Sequence, residues 1–579
     1  MRARTGMRCG AFALAVLIAA ALPARGGEAE PADLALTGGA VYTLDAARSW
    51  AQAVAIRAGR IVYVGSDAGI APWIGAKTRV VALGGRMLLP GFQDAHVHPM
   101  SGGLELTLCD LNDLATRAAV VEKVRACAAQ QPGEWLVGGG WALPIFPGGN
   151  PDRELLDELS PQRPAYLSAA DGHSSWVNSR ALALAKVDAE TPDPPNGRIE
   201  RDPASGEPTG TLRESAMDLV AGLLPRPTPA ELEAGLRRAL AHLNRLGITA
   251  AQEASADRAG LEAYRATERR GDLTLRIVAA LGSARIAEEL PPEARSDAGA
   301  IAARLAALRS EFASPRLRPT AAKIFADGVI EARTAAMLEP YLDRPGWRGE
   351  PNLPPDELDA LVAALVRQGF SVHIHAIGDR AVRMGLDALE AAGARRGAAG
   401  LRHQLAHIEV IQPEDMPRFR TLGVIANFQP LWAYADPYIT DLTLPAFAPE
   451  TVRRIYPIGS AEQAGAPLAF GSDWSVTSAD PLRGIQVAVT RQGLDGKPEP
   501  FLPDEAIRLD TALAAYTIGS AHALGLEAET GSIEIGKLAD LVVLSHDLFA
   551  LPPTRIATAR VLLTLLEGDP VHRDPAFGW

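Results

Sequence analysis

The sequence is poor in cysteine, with Cys9, Cys109 and Cys127 as the three cysteines in 579 residues. No Cys-x-x-Cys spacing occurs, which argues against a cysteine-ligated zinc site. Basic residues are also fewer than acidic ones: the sequence has 57 Lys and Arg and 69 Asp and Glu, which gives a net charge of −12. This acidic balance disfavours nucleic acid as a partner, because phosphate contacts need clustered Lys and Arg. After the first residues, no apolar run is long enough to cross a membrane without a charge.

The remaining composition is that of an ordinary globular protein. Apolar residues make up 47% and charged residues 22% of the chain, which argues against disorder. The length is too great for one compact core and predicts a large domain with substantial additions.

The N-terminus has the pattern of a secretory signal peptide. Arg2, Arg4 and Arg8 precede an apolar run over 11–22, and the small residue Ala24 follows. Twelve apolar residues are too few to span a bilayer as a helix, and the alternative is an uncleaved anchoring segment. We therefore expect residues 1–27 to be removed and the protein to be exported, to the periplasm or outside the cell. In an exported chain Cys109 and Cys127 either form a disulfide or remain two buried thiols.

Strand and helix patterns predict an α/β architecture with three parts. Short strands over 28–89 and 516–579 indicate one small β-sandwich built from both termini. Between them, over 90–515, buried strands alternate with amphipathic helices, which is typical of a (β/α)8 TIM barrel. The eight predicted strands are 88–96, 248–252, 275–281, 320–325, 370–375, 405–407, 423–427 and 466–470. An insertion after strand 1, over 100–226, is expected to lie above the active-site face.

Polar residues that suit a metal follow several of the predicted barrel strands. His96 and His98 are two apart on a strand, so both imidazoles point to one side. At the carboxyl ends of later strands come Lys323, His375, His407 and Asp473. Since barrel active sites lie at that end, these six residues predict a metal centre. The alternative is six polar residues with separate explanations.

With these motifs the chain resembles the amidohydrolase superfamily, and within it the amidohydrolase-3, YtcJ-like group. The resemblance covers almost the whole mature chain through the segments 90–98, 135–141, 171–178, 323–328, 375–381, 471–474 and 536–544, together with His407. One departure is Ala406, where this group tends to have a glutamate before the histidine of strand 6.

The resemblance implies a role for each ligand. His96 and His98 would bind one divalent metal, most simply zinc, together with Asp473. His375 and His407 would bind a second ion. Lys323, if carboxylated, would bridge the two; if it is unmodified, a single-metal site is expected.

The expected reaction is hydrolysis of an amide or related C–N bond, other than a peptide bond, in a small molecule. Asp473 would take a proton from the attacking water and pass it to the leaving nitrogen. His173, Trp141 and Trp474 are candidates for substrate contacts. Alternatives are a deaminase, a hydrolase of lactones, carbamates or phosphoesters, or a non-catalytic exported binding protein. A homodimer is the expected alternative to a monomer.

The other histidines receive more ordinary interpretations. His373 shares a face with His375 and is expected to support the ligands from behind, as is His403. His242, His522, His546 and His572 are expected to serve packing or to lie on the surface.

Overall fold

Eight parallel strands form the centre of the protein in the computed structural model, which describes residues 30–131, 133–395 and 400–579. The strands are β1 (Phe92–Val97), β2 (Ile248–Ala256), β3 (Arg276–Gly282), β4 (Leu317–Phe325), β5 (Ser371–Ala376), β6 (Gln404–His407), β7 (Ile425–Phe428) and β8 (Leu468–Phe470). They pair in chain order from β1 to β8. Just beyond β8, the Asp473 N–H donates to the His96 carbonyl at 2.7 Å and brings the two outer strands together. The predicted barrel is confirmed.

Helices surround this sheet on its outer side. The main ones are Pro229–Arg245, Arg258–Arg269, Ala298–Phe312, Pro355–Arg367, Asp379–Ala391, Met416–Leu422, Ile458–Ala464 and Pro481–Thr490. Helix Pro229–Arg245 illustrates the sequence signals: Thr228 and Glu231 form a capping box, and Leu236, Leu240 and Leu243 lie on the buried face. Among the described residues, no helix combines the length and the apolar character needed to cross a membrane.

A β-sandwich joins the two ends of the described chain. One sheet contains Arg60–Gly65, Ala53–Arg57, Leu34–Thr37 and Arg79–Ala82; the other contains Asp569–Arg573, Val561–Leu566, Leu541–Leu544, Met87–Pro90, Ala40–Tyr42 and Trp50–Ala51. The predicted strand 88–96 is therefore two strands, of which the first belongs to the sandwich and the second is β1. Gly91 separates them, and a Cβ there would lie 2.4 Å from the Thr249 side chain.

The segment that begins at residue 516 differs from the prediction. Helices Leu509–Ala514 and Ser520–Leu524 lead to the barrel instead of the sandwich. Ala521 and Leu524 pack against Ala95 and Ala250 and close the amino end of the barrel. The small alanine side chains permit this approach, and the sandwich resumes at Leu541.

The insertion after β1 has a sheet of its own. Its strands are Gly197–Arg201, Pro208–Glu214, Ser174–Val177, Ala165–Ala169, Leu136–Trp141 and Cys109–Asp110, with helices Pro99–Glu105, Arg117–Gln130, Arg153–Leu159, Ser179–Ala185 and Asp218–Ala221. Cys109 and Cys127 form a disulfide with Cα atoms 5.7 Å apart. The bond ties the edge strand to helix Arg117–Gln130, beside residues that line the site described next.

Candidate metal centre

Three of the predicted ligands meet above the carboxyl ends of the barrel strands. One donor atom each from His96, His407 and Asp473 lies within 4.8 Å of the others, and all three residues are buried. They come from β1, from the end of β6 and from the turn after β8. Nitrogen and carboxylate donors that converge in this way form the kind of set that holds a divalent cation.

His96 presents one ring nitrogen to this cluster and the other to a neighbouring histidine. Its Nε2 lies 3.5 Å from Asp473 Oδ1 and 3.2 Å from Lys323 Nζ. Its Nδ1 lies 2.8 Å from His373 Nε2. Burial, followed by the charge of Lys323, holds the pKa of His96 well below its usual range. The ring is therefore neutral, which is the state that a metal ligand requires.

His98 lies at the edge of the cluster between two carboxylates. Its Nε2 is 3.1 Å from Asp473 Oδ1 and its Nδ1 is 3.6 Å from Glu253 Oε1. Burial lowers the pKa of His98, but the two carboxylates outweigh it and raise the value to about 9. Metal binding at His98 has to displace this proton. Glu253, on β2, was not anticipated from the sequence.

His375 and His407 form the second imidazole pair, with ring centroids 4.5 Å apart. His407 Nδ1 is 2.8 Å from the Gln429 side-chain oxygen, so Nδ1–H donates there and Nε2 is left for a metal. His375 Nε2 is 3.1 Å from the Gly328 carbonyl, which leaves Nδ1 for a ligand in the same way. Burial holds the pKa of both rings well below the usual range.

Lys323 places a buried amine beside these donors, and the residue is only 1% exposed. Within the described ranges, no carboxylate lies within 4 Å of its Nζ. Burial lowers the pKa of Lys323 to about 7, against the opposing attraction of Asp473 and Glu253. The amine therefore loses its proton easily near neutral pH.

The turn after β8 is fixed by a second, purely structural carboxylate. Asp94 accepts from the Ser472 N–H at 3.0 Å, from the Ser472 hydroxyl at 2.6 Å and from the His96 N–H at 3.1 Å. Gly471 permits the approach, because a Cβ there would lie 2.5 Å from the His96 nitrogen. These contacts hold His96 and Asp473 side by side.

The hydrogen bonding around Asp473 also favours a bound cation. Asp473 Oδ1 is buried beside the ring nitrogens of His98 at 3.1 Å and His96 at 3.5 Å, but no contact among the described residues has the alignment of a hydrogen bond. A buried carboxylate oxygen without an aligned donor is costly, and a divalent ion at the cluster of His96, His407 and Asp473 would satisfy it.

A cavity of about 490 Å³ opens onto the centre. His375, His407 and Asp473 line it, as do two of the predicted substrate contacts, His173 and Trp474. Trp141, the third, is fully buried in the core of the insertion, where its Nε1–H donates to the Leu167 carbonyl at 2.9 Å. It is not among the residues that line the cavity, although Gly140 and Ala142 beside it are.

Three acids that line the cavity were not singled out from the sequence. Asp171 lies in a loop of the insertion, Glu331 follows β4 and Glu409 follows β6, so strand-end patterns did not reveal them. Two aromatic contacts complete the wall: the ring centroids of His242 and Trp474 are 4.9 Å apart, and those of Trp432 and His407 are 5.4 Å apart.

Comparison with known proteins agrees with this fold and site. The model of the amidohydrolase family matches residues 79–572. The chain belongs to the amidohydrolase family.

Relatives align with nearly the whole chain. N-substituted formamide deformylase of Arthrobacter pascens is 30% identical over 550 residues, which are 93% of this chain and 97% of that protein. Protein LONG AFTER FAR-RED 3 of Arabidopsis thaliana is 33% identical, with 93% and 92% aligned. An uncharacterized metal-dependent hydrolase from Pyrococcus furiosus has a solved structure with a TM-score of 0.67 at 26% identity, covering 89% of this chain and 99% of that one.

Family, fold and donor set together define the reaction class. The protein is a metal-dependent hydrolase that acts on an amide or related C–N bond, other than a peptide bond, of a small molecule. This confirms the reaction class predicted from the sequence.

Proposed function

We propose that the protein hydrolyses an N-formyl or other N-acyl amine, with zinc as its metal. The observation that carries the proposal is the convergence of His96, His407 and Asp473 under a cavity that Asp473 also lines. Imidazole nitrogens with a carboxylate oxygen are a donor set typical of zinc. When bound, such an ion acidifies water and polarises a carbonyl oxygen.

Asp473 is the proton carrier in this account. Its Oδ1 has no hydrogen-bond partner within the described part of the chain, so it is available to a water molecule in the cavity. It takes one proton from the attacking water and delivers it to the amide nitrogen as the C–N bond breaks. The products are a carboxylic acid, which is formic acid for a formamide, and an amine.

His173 is placed to assist at the substrate carbonyl. Its Nδ1 lies 2.9 Å from Glu214 Oε2, and its ring centroid is 5.5 Å from that of His375. Burial lowers the pKa of His173, but Glu214 and Asp171 outweigh it and raise the value to about 9. A protonated ring that is held by Glu214 through Nδ1 has Nε2–H left to donate to the substrate oxygen.

Lys323 is proposed to carry carbon dioxide as a carbamate. Its neutral amine adds to the carbon of carbon dioxide: the C–N bond forms, the π pair of one C=O bond moves to oxygen, and one amine proton leaves to solvent. The amine thus becomes an anionic carbamate, which would be able to hold a metal ion. The support is the burial of Nζ without a carboxylate within 4 Å in the described ranges. A carbamate resonance after incubation with ¹³C-bicarbonate, absent in Lys323→Arg, is the expected signature.

The substrate class draws on the cavity and on a relative. The relative from Arthrobacter pascens is named as a deformylase of N-substituted formamides. Trp432, Tyr434, Leu431 and Leu494 line the cavity here and offer an apolar surface for the substituent on nitrogen.

We also propose export. The signal-peptide pattern of residues 1–27, which lie outside the described ranges, supports it. The Cys109–Cys127 disulfide is a second support, because such bonds persist in oxidising compartments. N-terminal sequencing of the protein from its own cells should find a new terminus near residue 25; an intact Met1 would contradict export by cleavage.

Substrate screening tests the proposal. Zinc-loaded protein with bicarbonate should release amine and acid from N-formyl and N-acetyl alkylamines faster than it acts on aminated heterocycles or lactones. Ammonia release from a heterocycle without amide hydrolysis would favour a deaminase and overturn the proposal.

A further inference from the structure

We propose that the substrate carries, besides its acylated nitrogen, a cationic N–H group that is held by an acidic wall of Asp171, Glu331 and Glu409. This inference rests on the proposed amide hydrolysis for the reaction at the metal centre. It adds a prediction of the charge that the substrate carries and of the residues that recognise this charge.

Glu409 is the strongest evidence for a missing cation. The residue is 3% exposed, lies two positions after His407 and lines the same cavity. Its Oε2 has no hydrogen-bond partner of normal geometry among the described residues, although the Tyr456 side chain lies close to the carboxyl group. Because a buried carboxylate oxygen without a donor is costly, a ligand donor in the cavity would satisfy it.

Two further carboxylates from different segments face the same space. Asp171 Oδ1 accepts from the His173 N–H at 2.9 Å, whereas its Oδ2 is buried and has no partner in the described ranges. Glu331 Oε1 accepts from the Thr443 hydroxyl at 2.9 Å. Burial raises the pKa of Glu331, and the charge of Asp171 adds to this effect. Three segments far apart in sequence therefore bring three carboxyl groups to one wall.

The basic side chains near this wall are already committed to other acids. Arg333 binds Asp343, with its Nε and Nη2 at 2.6–3.0 Å from the carboxylate. His173 is paired with Glu214, as described above. Arg483 lines the cavity, but its side chain is 42% exposed and lies 3.9 Å from Asp480. Within the described ranges no basic side chain lies within 4 Å of the carboxylate oxygens of Asp171, Glu331 or Glu409, so a cationic ligand would complete the wall.

The chemistry of the wall favours a guanidinium or a primary ammonium group. Such groups present several N–H donors, as two unpartnered carboxylate oxygens require, and make charge-assisted hydrogen bonds. Tyr438 and Tyr456 also line the cavity and add aromatic surface for a cation. A molecule with an acylated nitrogen and a free cationic nitrogen, such as a mono-N-acyl diamine, meets the requirements of both the metal centre and the acidic wall.

Binding of a matched pair of probes tests the wall without hydrolysis. Butylguanidinium and neutral butylurea have nearly the same shape, and neither contains the proposed scissile amide. In calorimetric titrations of zinc-loaded protein, the cation should bind about tenfold more tightly, the gain expected for charge-assisted hydrogen bonds. Equal or weaker binding of the cation to the wild type would overturn the inference.

Glu409→Gln keeps the shape of the side chain and removes its charge. It should bring the two probe affinities to within about threefold, whereas Glu450→Gln, on the exposed surface, should keep the wild-type ratio. Melting curves verify that each variant is folded. If Glu409→Gln does not fold, Glu331→Gln and Asp171→Asn serve in its place, and an unchanged ratio in folded variants would refute the wall.

Kinetics separate this inference from the proposed reaction. For N-formyl-1,4-diaminobutane against N-formylpentylamine, kcat/KM should favour the diamine, and Glu409→Gln should remove the preference mainly by raising KM. Hydrolysis of both compounds without preference overturns the acidic wall alone. Charge-selective probe binding without hydrolysis of any amide overturns the proposed function and leaves the wall in place.

Discussion

His373 Nε2 lies 2.8 Å from His96 Nδ1. For His96 to bind a metal through Nε2, its proton must reside on Nδ1 and point at His373. His373 then accepts at Nε2 and carries its own proton on Nδ1, which is buried without a hydrogen-bond partner among the described residues. The contact therefore fixes the tautomer and the orientation of a metal ligand.

Replacing His373 should weaken metal binding without removing a ligand. In His373→Phe we expect metal affinity to fall about 10–100-fold, the usual effect of losing a hydrogen bond behind a ligating histidine. Activity should return at saturating zinc. Chelator competition measures the affinity, and His546→Phe, at an exposed histidine far from the ligands in sequence, is the control. Unchanged affinity in His373→Phe would show that the contact does not orient His96.

Asp473→Asn removes the proposed proton carrier. We expect kcat to fall by about 100–10,000-fold, as for other lost general acid–base groups. The melting temperature should fall only slightly, because asparagine keeps the size of the side chain and an oxygen that can face His98 Nε2. Asp495→Asn, an exposed change of the same kind, should leave kcat unaltered. Full activity in Asp473→Asn would remove the residue from the mechanism.

Gly471→Ala tests the close approach of β8 to β1. A Cβ at residue 471 would lie 2.5 Å from the His96 nitrogen and must displace the backbone that carries a ligand. We expect a loss of about 1–3 kcal/mol in unfolding free energy, typical of overpacking, together with weaker metal binding. Gly578→Ala, where no atom lies within 4 Å of the added Cβ, should be neutral in denaturant titrations. Equal stability of the two variants would contradict the packing described.

The disulfide should be detectable in exported protein. Cys109 and Cys127 should resist alkylation until the protein is reduced. Cys127→Ser should lose about 3 kcal/mol of stability, by the chain-entropy value for a loop of this size. Thermal unfolding with and without reductant checks this, and the reductant should have no further effect on Cys127→Ser. Two free thiols in protein isolated from an oxidising compartment would refute the bond.

Much of the fold follows from local patterns. Each barrel strand is a short apolar run that follows a helix ending at glycine or a polar turn, as with Leu405–His407, so eight strands and their parallel order were predictable. The boundary at Gly91 was not, because only this one residue separates strand Met87–Pro90 from strand Phe92–Val97. The role of Ser520–Leu524 was missed as well, since only the three-dimensional structure shows that its alanines fit the end of the barrel.

Some residues of the site were likewise predictable from the sequence and others were not. His96, His98, Lys323, His375, His407 and Asp473 stand at strand ends, where barrel geometry brings them together whatever the loops do. Glu253 was hidden because it lies inside a strand, and Glu409 because it lies in a loop. Trp141 drew attention as an aromatic residue beside a glycine-rich turn, but the insertion buries it. The substrate-facing surface depends on loop packing, which local sequence patterns do not determine.

Metal content tests the central claim most directly. The zinc-supplemented wild-type protein, after extensive dialysis, should hold about one or two divalent ions per chain by elemental analysis. The double variant His96→Asn/His407→Asn should fall to background while its circular dichroism spectrum stays unchanged. Equal metal content in the two folded proteins, or background metal in the wild type, would contradict a metal centre built from these residues.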